Sequence, residues 1–86
     1  MICRNLREIQ NMVKGYGLKK ENEDIVIHGV SIDTRQIRPG QLYVPIVGER
    51  FNGHRFIQDA IAKGAVAAIW SKNETVPDVD IPIIFV

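Results

Sequence analysis

Gly29-Val30-Ser31-Ile32-Asp33-Thr34-Arg35, followed at once by Gln36-Ile37-Arg38-Pro39-Gly40-Gln41-Leu42-Tyr43-Val44-Pro45-Ile46-Val47-Gly48-Glu49-Arg50-Phe51-Asn52-Gly53-His54, is the stretch whose reading decides the fold. Two runs rich in β-branched and aromatic residues, Ile25 to Asp33 and Gln41 to Val47, flank an Arg-Pro-Gly turn. Each run ends in polar side chains with glycine nearby. Apolar residues build a platform and polar residues finish its rim, which is how strands position ligand-binding loops.

Outward from that stretch, the first run reads as a strand with a bulge expected at His28-Gly29. Arg38-Pro39-Gly40 combines an extended residue, a fixed φ and a permissive glycine, so it reads as a turn. The second run is nearly continuous in apolar character, which predicts a strand covered on both faces, with an edge or bulge at Pro45 because proline cannot donate to a ladder. Gly48 to Gly53 is a loop. A helix is predicted from about His54 to Lys63, with Phe56, Ile57, Ala60 and Ile61 on one face, Asn52 as cap and Gly64 as stop.

Ala65 to Trp70 reads as a short buried strand, Ser71 to Asp80 as a polar loop, and Ile81 to Val86 as a last apolar strand. On the N-terminal side, Leu6, Ile9, Met12 and Val13 recur at helical spacing, with Asn5 and Glu8 placed for a capping box and Gly15 and Gly17 as stops. This order predicts an α/β fold, a small mixed sheet with flanking helices, in which the helix between the strands at 41–47 and 66–70 is a βαβ crossover.

Eighty-six residues make one small domain that buries roughly 60–65% of the surface of its unfolded chain. The chain is 45% hydrophobic and 24% charged, as in ordinary soluble globular chains. Eleven basic and ten acidic residues are interspersed, for a net charge of +1, so there is no electrostatic footprint for nucleic acid. One cysteine, Cys3, excludes an internal disulfide, and the N-terminus lacks the apolar core of a signal peptide. The longest apolar run, Ala65 to Trp70, is far short of the roughly 20 residues that span a bilayer. A cytoplasmic protein without membrane insertion is expected, and its apolar ending at Ile83-Ile84-Phe85-Val86 suggests a piece of a longer polypeptide.

Neither a Gly-x-x-x-x-Gly-Lys-Ser/Thr loop nor a Gly-x-Gly-x-x-Gly fingerprint occurs, so ATP is not expected to bind this chain. His28 and His54 have no cysteine cluster beside them, which leaves no zinc pattern. Thr34 and Arg35 are ligand candidates, because a hydroxyl both donates and accepts while guanidinium matches phosphate oxygens in pairs. Asp33 reads equally well as a cap on turn amides. Glu49-Arg50-Phe51 is either a solvated loop or an aromatic wall with polar groups around a flat ring.

Asp33-Thr34-Arg35, Pro39-Gly40-Gln41-Leu42-Tyr43-Val44, Gly48-Glu49-Arg50-Phe51-Asn52-Gly53-His54-Arg55-Phe56-Ile57 and Ala60-x-x-x-Gly64-Ala65-x-Ala67 resemble, in that order, the N-terminal domain of the Mur ligases. The resemblance covers Val30 to Ile69. Within the family, Asp-Thr-Arg and Gly-Glu-Arg-Phe are typical of the branch that adds D-alanyl-D-alanine, whereas the branch that adds the third amino acid more often has Asp-Ser-Arg. Tyr43, Pro45 and Asn52 stand where the family commonly has phenylalanine, alanine and aspartate.

The resemblance implies a three-domain, ATP-dependent ligase of peptidoglycan synthesis whose N-terminal domain binds the UDP end of UDP-N-acetylmuramoyl-tripeptide. ATP and magnesium would belong to a central domain, and the incoming amino component to a C-terminal domain. No catalytic residue is then expected in this chain. Carried over residue by residue, uridine contacts fall on Ile32, Thr34, Glu49, Arg50 and Phe51, with Arg35 as a further substrate-binding candidate. The competing expectation is a protein-interaction domain without a small-molecule site, offering a strand edge near Pro45.

Overall fold

A computed structural model describes residues 3–48 and 52–86. The chain forms β1 (Arg4–Asn5), α1 (Leu6–Met12), β2 (Val26–Ile27), β3 (Val30–Ser31), β4 (Leu42–Tyr43), α2 (Ile57–Ala62), β5 (Ala67–Trp70) and β6 (Ile83–Phe85), with short 3₁₀ turns at Lys20–Asn22 and Gly53–Phe56. β3, β4, β5 and β6 make one parallel sheet in chain order, in register Val30 with Leu42, Leu42 with Ala67, and Ala68 with Ile83. Tyr16 adds an antiparallel bridge to Phe85, and β1 pairs antiparallel with β2. The mixed α/β expectation holds.

Side chains alternate across the strands and sort into two cores. Tyr43, Ala68 and Trp70 point to one face, where Ile37, Ile57, Ala60 and Ala65 join them and Ile61, Val79 and Ile81 pack alongside. Leu42, Ala67 and Ile84 point to the other, against Leu6, Ile9 and Ile27. All three connections between neighbouring parallel strands therefore contribute to one layer, while α1 and β2 cover the opposite face. Ala67 and Ala68 are fully buried, and their small side chains leave room for both layers to approach the central strand.

α1 forms where its cap requires. The Asn5 side chain accepts from the Glu8 amide at 2.8 Å, and the Glu8 carboxylate accepts from the Asn5 amide at 3.4 Å. Only half of its predicted stripe is core: Leu6 and Ile9 are buried, whereas Met12, the last helical residue, and Val13, its C-cap, lie on the surface. At the other helix, Asn52 accepts from the His54 amide at 2.9 Å as expected, but the first turn is 3₁₀ and α-helical geometry starts only at Ile57.

Three strand expectations need correcting. The run from Ile25 to Asp33 is two strands, since at Gly29, with φ of +128°, the chain leaves the antiparallel pair and enters the parallel sheet. Gln41 to Val47 pairs in the sheet only at Leu42 and Tyr43, both fully covered, and ends before Pro45, so the missing proline donor removes no ladder bond. Its place between β3 and β5 also leaves no open edge for a partner there. The last strand starts at Ile83 rather than Ile81.

Candidate functional site

β3 and β4 are parallel neighbours, so the segments that follow them leave the sheet at the same end, which is where open α/β sheets hold ligands. A cleft of about 670 Å³ opens there, within the usual range for small-molecule sites. Ile32, Asp33, Thr34 and Arg35 line it from the segment after β3, and Tyr43 and Ile46 from β4 and beyond. Phe56, Asp59 and Lys63 close the third side from the crossover helix. Ile32 and Ile46 are about half exposed at 55% and 43%, and Phe56 sits at 36%, so the cleft presents apolar surface to its own opening.

The Asp33–Arg35 segment is held by its own side chains. The Asp33 carboxylate accepts the Arg35 amide at 2.9 Å, an Asx turn, and takes the guanidinium in a fork, Nη2 to Oδ2 at 2.8 Å and Nε to Oδ1 at 3.1 Å. That hydrogen bonding holds the Asp33 carboxyl below the usual carboxylate value and raises Arg35 in turn. Ser31 ties the turn to its strand, its hydroxyl donating to the Asp33 carbonyl at 3.0 Å. Asp33 thus caps the turn, and Arg35 is engaged by it inside the cleft. Thr34, between them, is half-buried in the cleft wall.

The floor is Tyr43, 1% exposed, whose hydroxyl donates to the Gly53 carbonyl at 2.8 Å. Burial pushes its phenol up, helped by the negative charge of Asp33 and Asp59. The Gly53 amide donates to the Ile46 carbonyl at 2.7 Å, closing the loop that starts after β4. Beyond it lies His54, 7% exposed, with Nδ1 2.6 Å from the Asn52 side-chain oxygen and Nε2 accepting the Ser71 amide at 3.2 Å. An acceptor at Nε2 places the proton on Nδ1, so the ring is neutral and donates to Asn52. Asn52 in turn donates to Glu74 at 2.8 Å, and Trp70 packs edge-on against the imidazole, ring centroids 4.5 Å apart. Burial lowers the His54 pKa, partly offset by Glu74.

Of the residues singled out in the sequence, Ile32, Thr34 and Arg35 share the cleft; Glu49, Arg50 and Phe51 lie outside the described residues. Sequence reasoning missed Tyr43, Ile46, Phe56, Asp59 and Lys63. Their signal was present: residues 56, 59 and 63 recur at i, i+3 and i+7, a stripe beside the buried Ile57–Ala60 face. Among the described residues no group of three His, Cys, Asp or Glu could hold a metal, and no helix is long and apolar enough to cross a membrane.

A family model described as "Mur ligase family, catalytic domain" matches residues 26–85. UDP-N-acetylmuramoyl-tripeptide--D-alanyl-D-alanine ligase of Bacillus subtilis is 40% identical over 86 residues, covering 100% of this chain and 19% of the relative. UDP-N-acetylmuramoyl-L-alanyl-D-glutamate--2,6-diaminopimelate ligase of Listeria monocytogenes is 42% identical over 65 residues, 76% of this chain and 13% of the relative. A crystal structure of MurF from Acinetobacter baumannii superposes with a TM-score of 0.82 at 24% identity, over 100% of this chain and 18% of that one, and shares the fold. The chain spans about a fifth of the length of such relatives.

Proposed function

From a chain that belongs to the Mur ligase family, we propose a substrate-binding part of an ATP-dependent ligase, with a cleft that takes the UDP end of UDP-N-acetylmuramoyl-tripeptide. The observation that carries this reading is the meeting of Ile32–Arg35 and Ile46 in one hollow at the ends of neighbouring parallel strands. A pyrimidine ring fits among Ile32, Ile46 and Phe56, and Thr34 supplies a hydroxyl that can both donate to and accept from its polar edge. The resemblance also assigns uridine contacts to Glu49, Arg50 and Phe51, which lie outside the described residues.

The ligase so proposed adds D-alanyl-D-alanine, the activity in the name of the Bacillus subtilis relative that matches this chain end to end. Its chemistry, formation of an acyl phosphate on the substrate carboxylate and attack by the incoming amine, belongs to central and C-terminal domains outside this chain, together with ATP and magnesium. This chain's share is to bind and orient the nucleotide end of the substrate. A second reading follows from the Listeria monocytogenes relative, whose higher identity over a shorter span supports the diaminopimelate-adding branch. Assaying the longer protein with tripeptide and dipeptide precursors separates the two.

Titrating the chain with UDP while following backbone amide resonances tests the binding reading. Shifts at Thr34 and at residues 49–51 that saturate at millimolar UDP are the expected result. No shift at that concentration would overturn it.

A further inference from the structure

The cleft holds two cations and two carboxylates, and they are not equivalent. Arg35 is forked onto Asp33 through Nε and Nη2 and fixed by that carboxylate's bond to its own amide, so it is already paired with an anion before any ligand arrives. Lys63 has no ion pair or hydrogen bond from its ammonium among the described residues. Asp59, four residues earlier on the same helix face and so placed for a pair, is not within ion-pair distance of it.

Lys63 is also held in place through its backbone. It caps the C-terminus of α2, with its amide bonded back to Asp59 and Ala60, and the next residue, Gly64, packs on Pro39 and accepts the Gly40 amide at 2.9 Å. The ammonium therefore projects from an anchored point into the hollow that Asp33 borders, and its positive field helps depress the Asp33 carboxyl. An unneutralised cation on an anchored stem beside an apolar ring pocket is what a diphosphate attached to a nucleoside needs.

We propose that Lys63, and not Arg35, supplies the positive charge that distinguishes a pyrimidine nucleoside diphosphate from its nucleoside in this cleft. This rests on the uridine-nucleotide reading above. Arg35 then serves as a positioning residue, a strut that with Asp33 fixes the turn carrying Thr34.

Uridine and UDP titrated in parallel into the wild-type chain and into Lys63→Gln, Lys63→Arg and Arg35→Gln separate these roles. Both Lys63 substitutions fall at an exposed position, and amide spectra verify their fold. Expected for Lys63→Gln is UDP binding weakened about tenfold with uridine unchanged within about twofold, as for loss of one charge-assisted contact. Lys63→Arg should keep the wild-type preference for UDP, and rising salt should erode it. Arg35→Gln should weaken uridine and UDP by the same factor. A UDP-to-uridine ratio that is unmoved by Lys63→Gln, or that collapses in Arg35→Gln instead, overturns the assignment. Wild type that binds neither compound removes the uridine-nucleotide reading and this assignment with it, whereas uridine binding with no preference for UDP removes this assignment alone.

Discussion

The hydroxyl of Tyr43 donates to the carbonyl of Gly53 from a ring that is 1% exposed, joining the cleft floor to the end of the loop that follows β4. Tyr43→Phe keeps the ring but strips the buried carbonyl of its donor, so urea denaturation should report a loss of about 1–2 kcal/mol. A change below about 0.5 kcal/mol would mean that the carbonyl finds another donor. His54 makes a pH-dependent contribution. Its folded pKa lies below the ordinary value of 6.5, so below pH 6.5 the unfolded chain binds more protons and stability falls with pH until the folded pKa is passed. Protonation there would cost the ring its acceptor role toward the Ser71 amide. Denaturation midpoints should drop between pH 7.5 and 5.5, and His54→Gln should flatten that slope. The one other charged group facing the ring among the described residues, Glu74 at 3.8 Å, opposes the effect without cancelling it. The Asp33 turn was half legible in the same way: Asp-Thr-Arg announces a turn and a ligand candidate, but only coordinates show the arginine folding back onto the aspartate two residues earlier.

At the scale of elements, helices were more legible than strands. Asn5 with Glu8, Asn52 before His54, and Gly64 after Lys63 each fix a helix end by satisfying backbone groups within a few residues, so local sequence is enough. Strand limits depend on partners distant in sequence. Gln41 to Val47 is apolar along most of its length, yet only Leu42 and Tyr43 meet both β3 and β5, and nothing in that run records where its neighbours stop. β1 went unseen for the same reason: Arg4 and Asn5 carry no strand signature and pair only because Val26 and Ile27 lie alongside. The helix stop yields a sharp prediction. Gly64 has φ of +104°, and a Cβ there would meet the Pro39 Cα at 2.6 Å, backbone that cannot swing aside. Gly64→Ala should therefore cost at least about 2 kcal/mol, the left-handed penalty plus overpacking, measured by thermal or urea unfolding. A cost near zero would show that the turn at 38–40 yields.

For the whole molecule, two separate side-chain clusters sandwich one parallel sheet, and every crossover lies on the side that carries the cleft. That arrangement ties ligand binding to global stability: Tyr43 and Ile57 belong to the core cluster, while Phe56 and Asp59, beside Ile57 on the same crossover, line the cleft. A ligand gripping Ile32–Arg35 and the α2 stripe at once spans the segment after β3 and the crossover from β4 to β5, which must separate when the chain unfolds. Binding only the folded form, UDP at ten times its dissociation constant should add about 1.4 kcal/mol, which for a domain of this size raises the melting temperature by roughly 6–11 °C. The rise should grow with the logarithm of UDP concentration, and Thr34→Val should reduce it by removing a polar contact with the ring edge. ADP at equal concentration should stabilise less if Ile32, Ile46 and Phe56 hold a pyrimidine against the Thr34 hydroxyl as proposed. Equal shifts from UDP and ADP would mean that the cleft reads only charge, and the selectivity argued from its apolar walls would then be wrong.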